Sequence, residues 1–173
     1  MKTLGIFTLL VALGSVVLAA TNGDVSQEFL RNKAIGDGID ADHRLNEWRQ
    51  TVETGTDRGE MVTIYRQNST IVRIDLKIGL SNADIVDTFY YKNRQLIFVR
   101  EKRLRYPYNE REGFDFDRPV IASKSEYYAV NGKLLSLITN AAHGDKESLM
   151  HDGEYLLRTV EAKKRIDGAK LGQ

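Results

Sequence analysis

Side chains that could carry acid–base, metal or nucleophilic chemistry occur along the chain without converging. The histidines are His43, His143 and His151, and there is no cysteine. No two histidines have the close spacing that sets a pair of imidazoles on one face of a helix or strand, so neither a metal site nor a cofactor is expected. Thiolate chemistry is excluded by composition. A Gly-x-Ser-x-Gly elbow, a phosphate-cradling glycine loop and a dinucleotide fingerprint are all missing from the sequence. Asp37, Asp40 and Asp42 cluster beside Gly36 and Gly38 but lack the ligand order and closing glutamate of a calcium loop, so they read as turn chemistry. Glu110, Glu112, Asp115 and Asp117 could supply paired carboxylates for a hydrolase of envelope material. Arg105, Arg111 and Arg118 beside them make solvated ion pairing the commoner reading. Binding is therefore favoured over catalysis.

Aromatic residues are the better candidates. The stretch 104–119 holds Tyr106, Tyr108, Phe114 and Phe116 together with both prolines of the chain, Pro107 and Pro119. Long connections inside a compact domain are uncommon and usually functional, and disorder is poor in aromatics. Two readings stay open: the aromatics fold back onto the sheet, over Phe89 and Phe98, or they present an interface. Tyr106, Tyr108, Phe114 and Phe116, with Trp48 on an outer strand, are the candidate binding residues.

The element that must position this loop is a repeat. When Asn68, Asn93 and Asn131 are superposed, Ile64, Phe89 and Tyr127 stand four residues before them, and Tyr65, Tyr90 and Tyr128 three before. Ile71-Val72, Leu96-Ile97 and Leu134-Leu135 follow at three and four after. Asparagine tolerates the positive φ that opens a two-residue hairpin turn, so three hairpins are expected at Asn68-Ser69, Asn93-Arg94 and Asn131-Gly132. Regular pairing would place Tyr65 opposite Val72, Tyr90 opposite Ile97 and Tyr128 opposite Leu135, giving a common Tyr-plus-aliphatic face that continues through Ile74, Leu76 and Ile78. The middle hairpin, apolar on both faces, should be covered twice. The asparagines are 25 and then 38 residues apart, so the extra length falls in the insertion at 104–119.

Helical spacing of Leu149, Leu156 and Val160 predicts a C-terminal helix from Asp145 to Ile166, with Gly168 as its cap. A shorter helix is expected from Ser26 to Ile35, facing inward through Val25, Phe29 and Leu30 and ended by Gly36-Asp37-Gly38. Leu45 to Thr54 adds an outer strand with Trp48 and Val52. The expected fold is α+β: an antiparallel β-meander of six or seven strands, packed by the C-terminal helix. Residues 21–59 form the N-terminal helix and outer strand, 60–140 the hairpin sheet and 141–173 the C-terminal helix, with 21–173 as one domain.

Residues 1–20 read as a signal peptide, because Lys2 precedes an uncharged apolar run from Leu4 to Leu18 and small residues follow. Cleavage is expected after Ala19 or after Ala20, so no stable membrane insertion remains. The chain has 25 basic and 24 acidic side chains, and loss of Lys2 leaves 24 of each. Zero net charge gives no field to draw the protein onto nucleic acid. Absence of cysteine suits a bacterial periplasm, so the expected location is periplasmic or extracellular.

The segments Phe89-Tyr90-Tyr91-Lys92-Asn93-Arg94-Gln95-Leu96-Ile97 and Tyr127-Tyr128-Ala129-Val130-Asn131-Gly132-Lys133-Leu134-Leu135 resemble the Tyr-Tyr-x-x-Asn-Gly-Lys-Leu hairpins of small exported bacterial proteins, and more loosely MORN-like repeats. The likeness spans residues 60 to 140 and implies a meander fold without implying catalytic residues. Together these features point to an exported, non-catalytic protein-binding domain, an inhibitor or immunity-type partner of another envelope protein. A periplasmic carrier of an apolar ligand is the alternative.

Overall fold

A computed structural model of the chain describes residues 27–52, 56–139 and 145–170. The expected signal peptide, Val25 and the Ser26 cap lie outside the described residues. Helix α1 (27–41) is followed by β1 (Asn46–Val52), β2 (Glu60–Gln67), β3 (Thr70–Gly79), β4 (Ala83–Lys92) and β5 (Gln95–Arg105). Two short strands, β6 (Tyr108–Asn109) and β7 (Gly113–Phe114), precede β8 (Val120–Val130), β9 (Lys133–Thr139) and helix α2 (Lys146–Lys170). The main sheet has seven antiparallel strands in the order β1-β2-β3-β4-β5-β8-β9. This is the α+β meander that the repeat predicts.

All three turns adopt the expected backbone. Asn68, Asn93 and Asn131 have φ of 48°, 51° and 50°, and Ser69, Arg94 and Gly132 follow at 68°, 64° and 72°. Positive φ at both central residues matches the twist of the flanking strands, so Ser69 and Arg94 accept a conformation that suits glycine better. The pairing departs from regularity in all three hairpins, in the third only beyond Tyr127, between it and Glu126. A β-bulge puts Tyr65 opposite Arg73 instead of Val72, and another puts Tyr90 opposite Phe98 instead of Ile97. Only Tyr128 keeps its expected partner, Leu135. A bulge adds one residue to one strand, and one residue exchanges the two faces of everything beyond it.

The common face is corrected accordingly. Ile64, Phe89 and Tyr127 share one face with Ile71, Ile74, Leu76, Leu96 and Leu134, and this face packs against Leu149 and Leu157 of α2. Tyr90 and Tyr128 lie on the other face with Phe98, under Phe29 of α1. Adjacent residues of a strand point to opposite sides, so the helices cover opposite faces and the middle hairpin is enclosed as predicted. Leu135, expected in the core, is 38% exposed, whereas Leu134 is 5% exposed.

Glycine accounts for the misread helix ends. The first helix does not stop at Ile35 but runs through Gly36 and Gly38 to residue 41. A Cβ on Gly36 would stand 3.1 Å from Cδ1 of Phe98, so this glycine lets the helix approach the sheet. Leu30, expected to face inward, is exposed. The second helix likewise continues through Gly168 to Lys170. Its Gly153 is the counterpart of Gly36: an added Cβ would lie 2.8 Å from Cδ1 of Phe89 and 2.9 Å from Cδ2 of Leu96. There the Gly153 carbonyl accepts a hydrogen bond from the Tyr91 hydroxyl at 2.7 Å.

Candidate functional site

The insertion joins the ends of β5 and β8 opposite the asparagine turns. It is a small hairpin in which Tyr108 pairs with Phe114 and Asn109 with Gly113, closed by Asp115 N–H donating to the Pro107 carbonyl at 2.8 Å. Its root is fixed by Tyr106, whose N–H donates to the Asn82 carbonyl at 3.3 Å. The buried Tyr106 hydroxyl donates to Asp84, a carboxylate with no solvent exposure. Arg58 and Lys77 neutralise Asp84 at 3.2 Å and 2.6 Å. One buried anion therefore ties the insertion to the segment before β2 and to β3, and its pairing offsets the cost of burying charge. Arg58 also lies over the Phe116 ring at 4.2 Å and the Tyr106 ring at 4.8 Å.

The aromatics form a string rather than a cover. Ring centres are 4.8 Å apart for Tyr106 and Phe116, 6.2 Å for Phe116 and Phe114, and 5.0 Å for Phe114 and Tyr108. Phe89 is covered instead by α2 at Gly153, and Phe98 by α1 at Phe29 and Gly36. Of the five candidate residues, Tyr106 is buried and Phe114 half-buried, while Tyr108 is 65% and Phe116 45% exposed. Val120 and Ile121, where the chain re-enters the sheet, are exposed as well. Trp48 is 39% exposed on the edge strand β1, opposite Ile64, and stands apart from the insertion. Glu110, Glu112 and Asp117 are exposed. Asp115 accepts from the Asp117 N–H at 3.1 Å and pairs with Arg118, which is turn and ion-pair chemistry.

Two arrangements were not anticipated. Asp37 and Asp40, read from sequence as turn residues, lie on α1 and clamp it to the sheet. Arg100 donates through Nη2 to Asp37 at 2.8 Å, through Nη1 to Asp40 at 2.5 Å and to the Tyr90 hydroxyl at 2.9 Å, and through Nε to Glu126 at 3.1 Å. Arg73 reaches Asp40 at 3.0 Å. Burial works against charge on Glu126, but Lys124, Arg100 and Lys33 hold its carboxyl below the usual range. Burial also pushes the Tyr90 hydroxyl far above its ordinary value. A network whose donors and acceptors meet one another fixes a helix on the sheet.

The second arrangement is a cleft of about 810 Å³ at the asparagine-turn end. Pairing of β5 with β8 begins at Phe98 and Tyr128, so the two hairpin tips beyond them separate. Glu28, Arg31, Arg94, Glu154, Arg158 and Glu161 stand along its walls. An apolar ligand would have to desolvate those charges, so the cleft lends no support to a carrier. Among the described residues no group of His, Cys, Asp and Glu could hold a metal ion, and no helix is long and apolar enough to cross a membrane. Compared with known protein families, curated proteins and solved structures, the chain matches none.

Proposed function

We propose that the chain is an exported, non-catalytic protein-binding domain of the bacterial envelope, of the inhibitor or immunity type, and that the insertion hairpin docks its partner. The observation that carries this reading is the exposure of Tyr108 and Phe116 on a base fixed from beneath by Tyr106, Asp84 and Arg58. Tyrosine supplies contact area with little side-chain entropy, and interface hot spots are rich in it. A backbone already held in place loses little further freedom on association, so more of the contact energy is realised as affinity. Val120 and Ile121 extend the exposed apolar surface. The apolar N-terminal run supports export, and the Tyr-Tyr-x-x-Asn-Gly-Lys-Leu hairpins support kinship with small exported proteins.

Tagged protein is used to recover partners from envelope extract of the source organism, and any partner is then titrated against purified variants. Tyr108→Ala is expected to weaken binding by about thirtyfold, the equivalent of about 2 kcal/mol. Its urea midpoint should match the parent's. Undiminished affinity in both Tyr108→Ala and Phe116→Ala would refute docking through the insertion. Export is checked separately by N-terminal sequencing of the mature protein, which should begin at Ala20 or Thr21.

A further inference from the structure

Beneath α2 the sheet buries an acid that pairs with no cation among the described residues. Asp87 is 6% exposed, and its Oδ1 has no hydrogen-bond partner among them. In register, Leu76 of β3 stands on one side of it and Glu101 of β5 on the other. Tyr127 of β8 directs its hydroxyl to Glu101 at 3.2 Å, so that donor is taken. From α2 comes Asp152, with His151 at 3.5 Å on its outer flank. Arg103, two residues beyond Glu101 on β5, is exposed. Closure of the helix thus brings the charge of Asp152 to bear on a sheet that already sets Asp87 opposite Glu101. Next to Asp152, Gly153 lies close against Phe89 and Leu96 of the sheet.

We propose that Asp87 is a proton-operated latch for α2: protonated, it lets the helix close on the sheet, and loss of its proton to solvent sets three carboxylates against one another and releases the helix from Phe89 and Leu96. Desolvation is the largest cause, and Glu101 and Asp152 add to it; together they push the Asp87 carboxyl up to about 7. A group that binds its proton more tightly in the closed state favours closure at low pH and loses that advantage as pH rises through its closed-state value. With a proton held to about 7 when closed and released at 3.8 when open, the opening equilibrium should rise about thirtyfold between about pH 5.5 and about pH 8.5.

Hydrogen exchange of the full chain, corrected for intrinsic rates, measures protection of the α2 amides relative to those of β4 and β5 at the two pH values. The parent should lose protection in α2 at the higher pH by about thirtyfold, and Asp87→Asn should keep it at both. Asp152→Asn removes one of the like charges from a half-exposed position, lowers the closed-state value of Asp87 towards the ordinary one, and should make the rise in α2 opening between the two pH values smaller than in the parent. A rise in Asp152→Asn as large as the parent's would overturn the latch, and this arm stands even where Asp87→Asn fails to fold. His151→Gln should leave the pH response in place. A pH-independent α2 in the parent, a response that survives Asp87→Asn, or one abolished by His151→Gln would overturn the proposal.

Discussion

Gly153→Ala sets two physical effects against each other at one position. Gly153 lies inside α2, where alanine is favoured over glycine by about 1 kcal/mol from backbone entropy alone. Helix propensity therefore predicts stabilisation. The structure predicts the reverse, since the new Cβ would stand 2.8 Å from Cδ1 of Phe89, 3.2 Å from its Cε1 and 2.9 Å from Cδ2 of Leu96. Both side chains sit in the packed core, where Phe89 has no exposure, so neither can swing aside into solvent. Lifting the helix would stretch the 2.7 Å hydrogen bond from the Tyr91 hydroxyl to the Gly153 carbonyl. Overpacking of a tight core costs about 1–3 kcal/mol, and loss of a buried hydrogen bond about 1 kcal/mol more. The net expectation is a destabilisation of about 1–3 kcal/mol after the propensity gain is subtracted. Urea unfolding followed by circular dichroism measures it, as a lower midpoint at unchanged slope. In a Tyr91→Phe background the helix can rise more freely, so the same substitution should cost less, and the double-mutant cycle reports the coupling. A midpoint equal to or above the parent's would refute the close approach of helix and sheet at Gly153.

Asp87→Asn should stabilise the protein above about pH 7 by up to about 4 kcal/mol, because the folded state holds the Asp87 proton to about 7 while the unfolded chain releases it near 3.8. The parent's unfolding free energy should accordingly carry a falling component between those two values that the variant lacks, measured by urea titration across pH. Leu134→Ala should cost about 2–5 kcal/mol and Leu135→Ala less than about 1 kcal/mol, and the reverse order would mean that the faces of the third hairpin are exchanged. Arg100→Ala should cost about 1–3 kcal/mol, since it removes the donor shared by Asp37, Asp40, Tyr90 and Glu126 while Lys124 and Lys33 still face Glu126. Exchange of the α1 amides should rise first in that variant, and unchanged protection would show that the Arg100 clamp does not hold α1.

What was legible in the sequence is what short-range chemistry specifies. Asn68, Asn93 and Asn131 occupy the first turn position because asparagine tolerates positive φ, and the flanking apolar runs set strand type and number. Enclosure of the middle hairpin followed from apolar residues on both its faces. Assignment of residues to faces failed at Val72 and Ile97, because a bulge leaves no mark in the alternation that precedes it, yet it exchanges sides for every residue beyond. Glycine misled for a related reason. At Gly36 and Gly153 the absence of a Cβ serves the approach of a helix to Phe98, Phe89 and Leu96, a requirement set by residues from 57 to 64 positions away in the chain.

The candidate site shows the same division between local and long-range information. The aromatic insertion was visible as excess length between Asn93 and Asn131, but the separation of Tyr108 and Phe116, which face water, from Tyr106, which anchors, depends on Asp84. Nothing near Asp84 in sequence marks it as the common partner of Arg58, Lys77 and Tyr106. Asp40, Asp84 and Asp87 are chemically identical in the sequence and acquire three roles from what the fold places beside them. Asp40 receives Arg73, Arg100 and Tyr90 and fixes α1. Asp84 receives two cations and a hydroxyl and fixes the insertion. Asp87 receives two further carboxylates, so its most effective neutralisation is a proton. The first two are structural anchors through the cations beside them, and the third lies under the helix that covers the other face of the sheet.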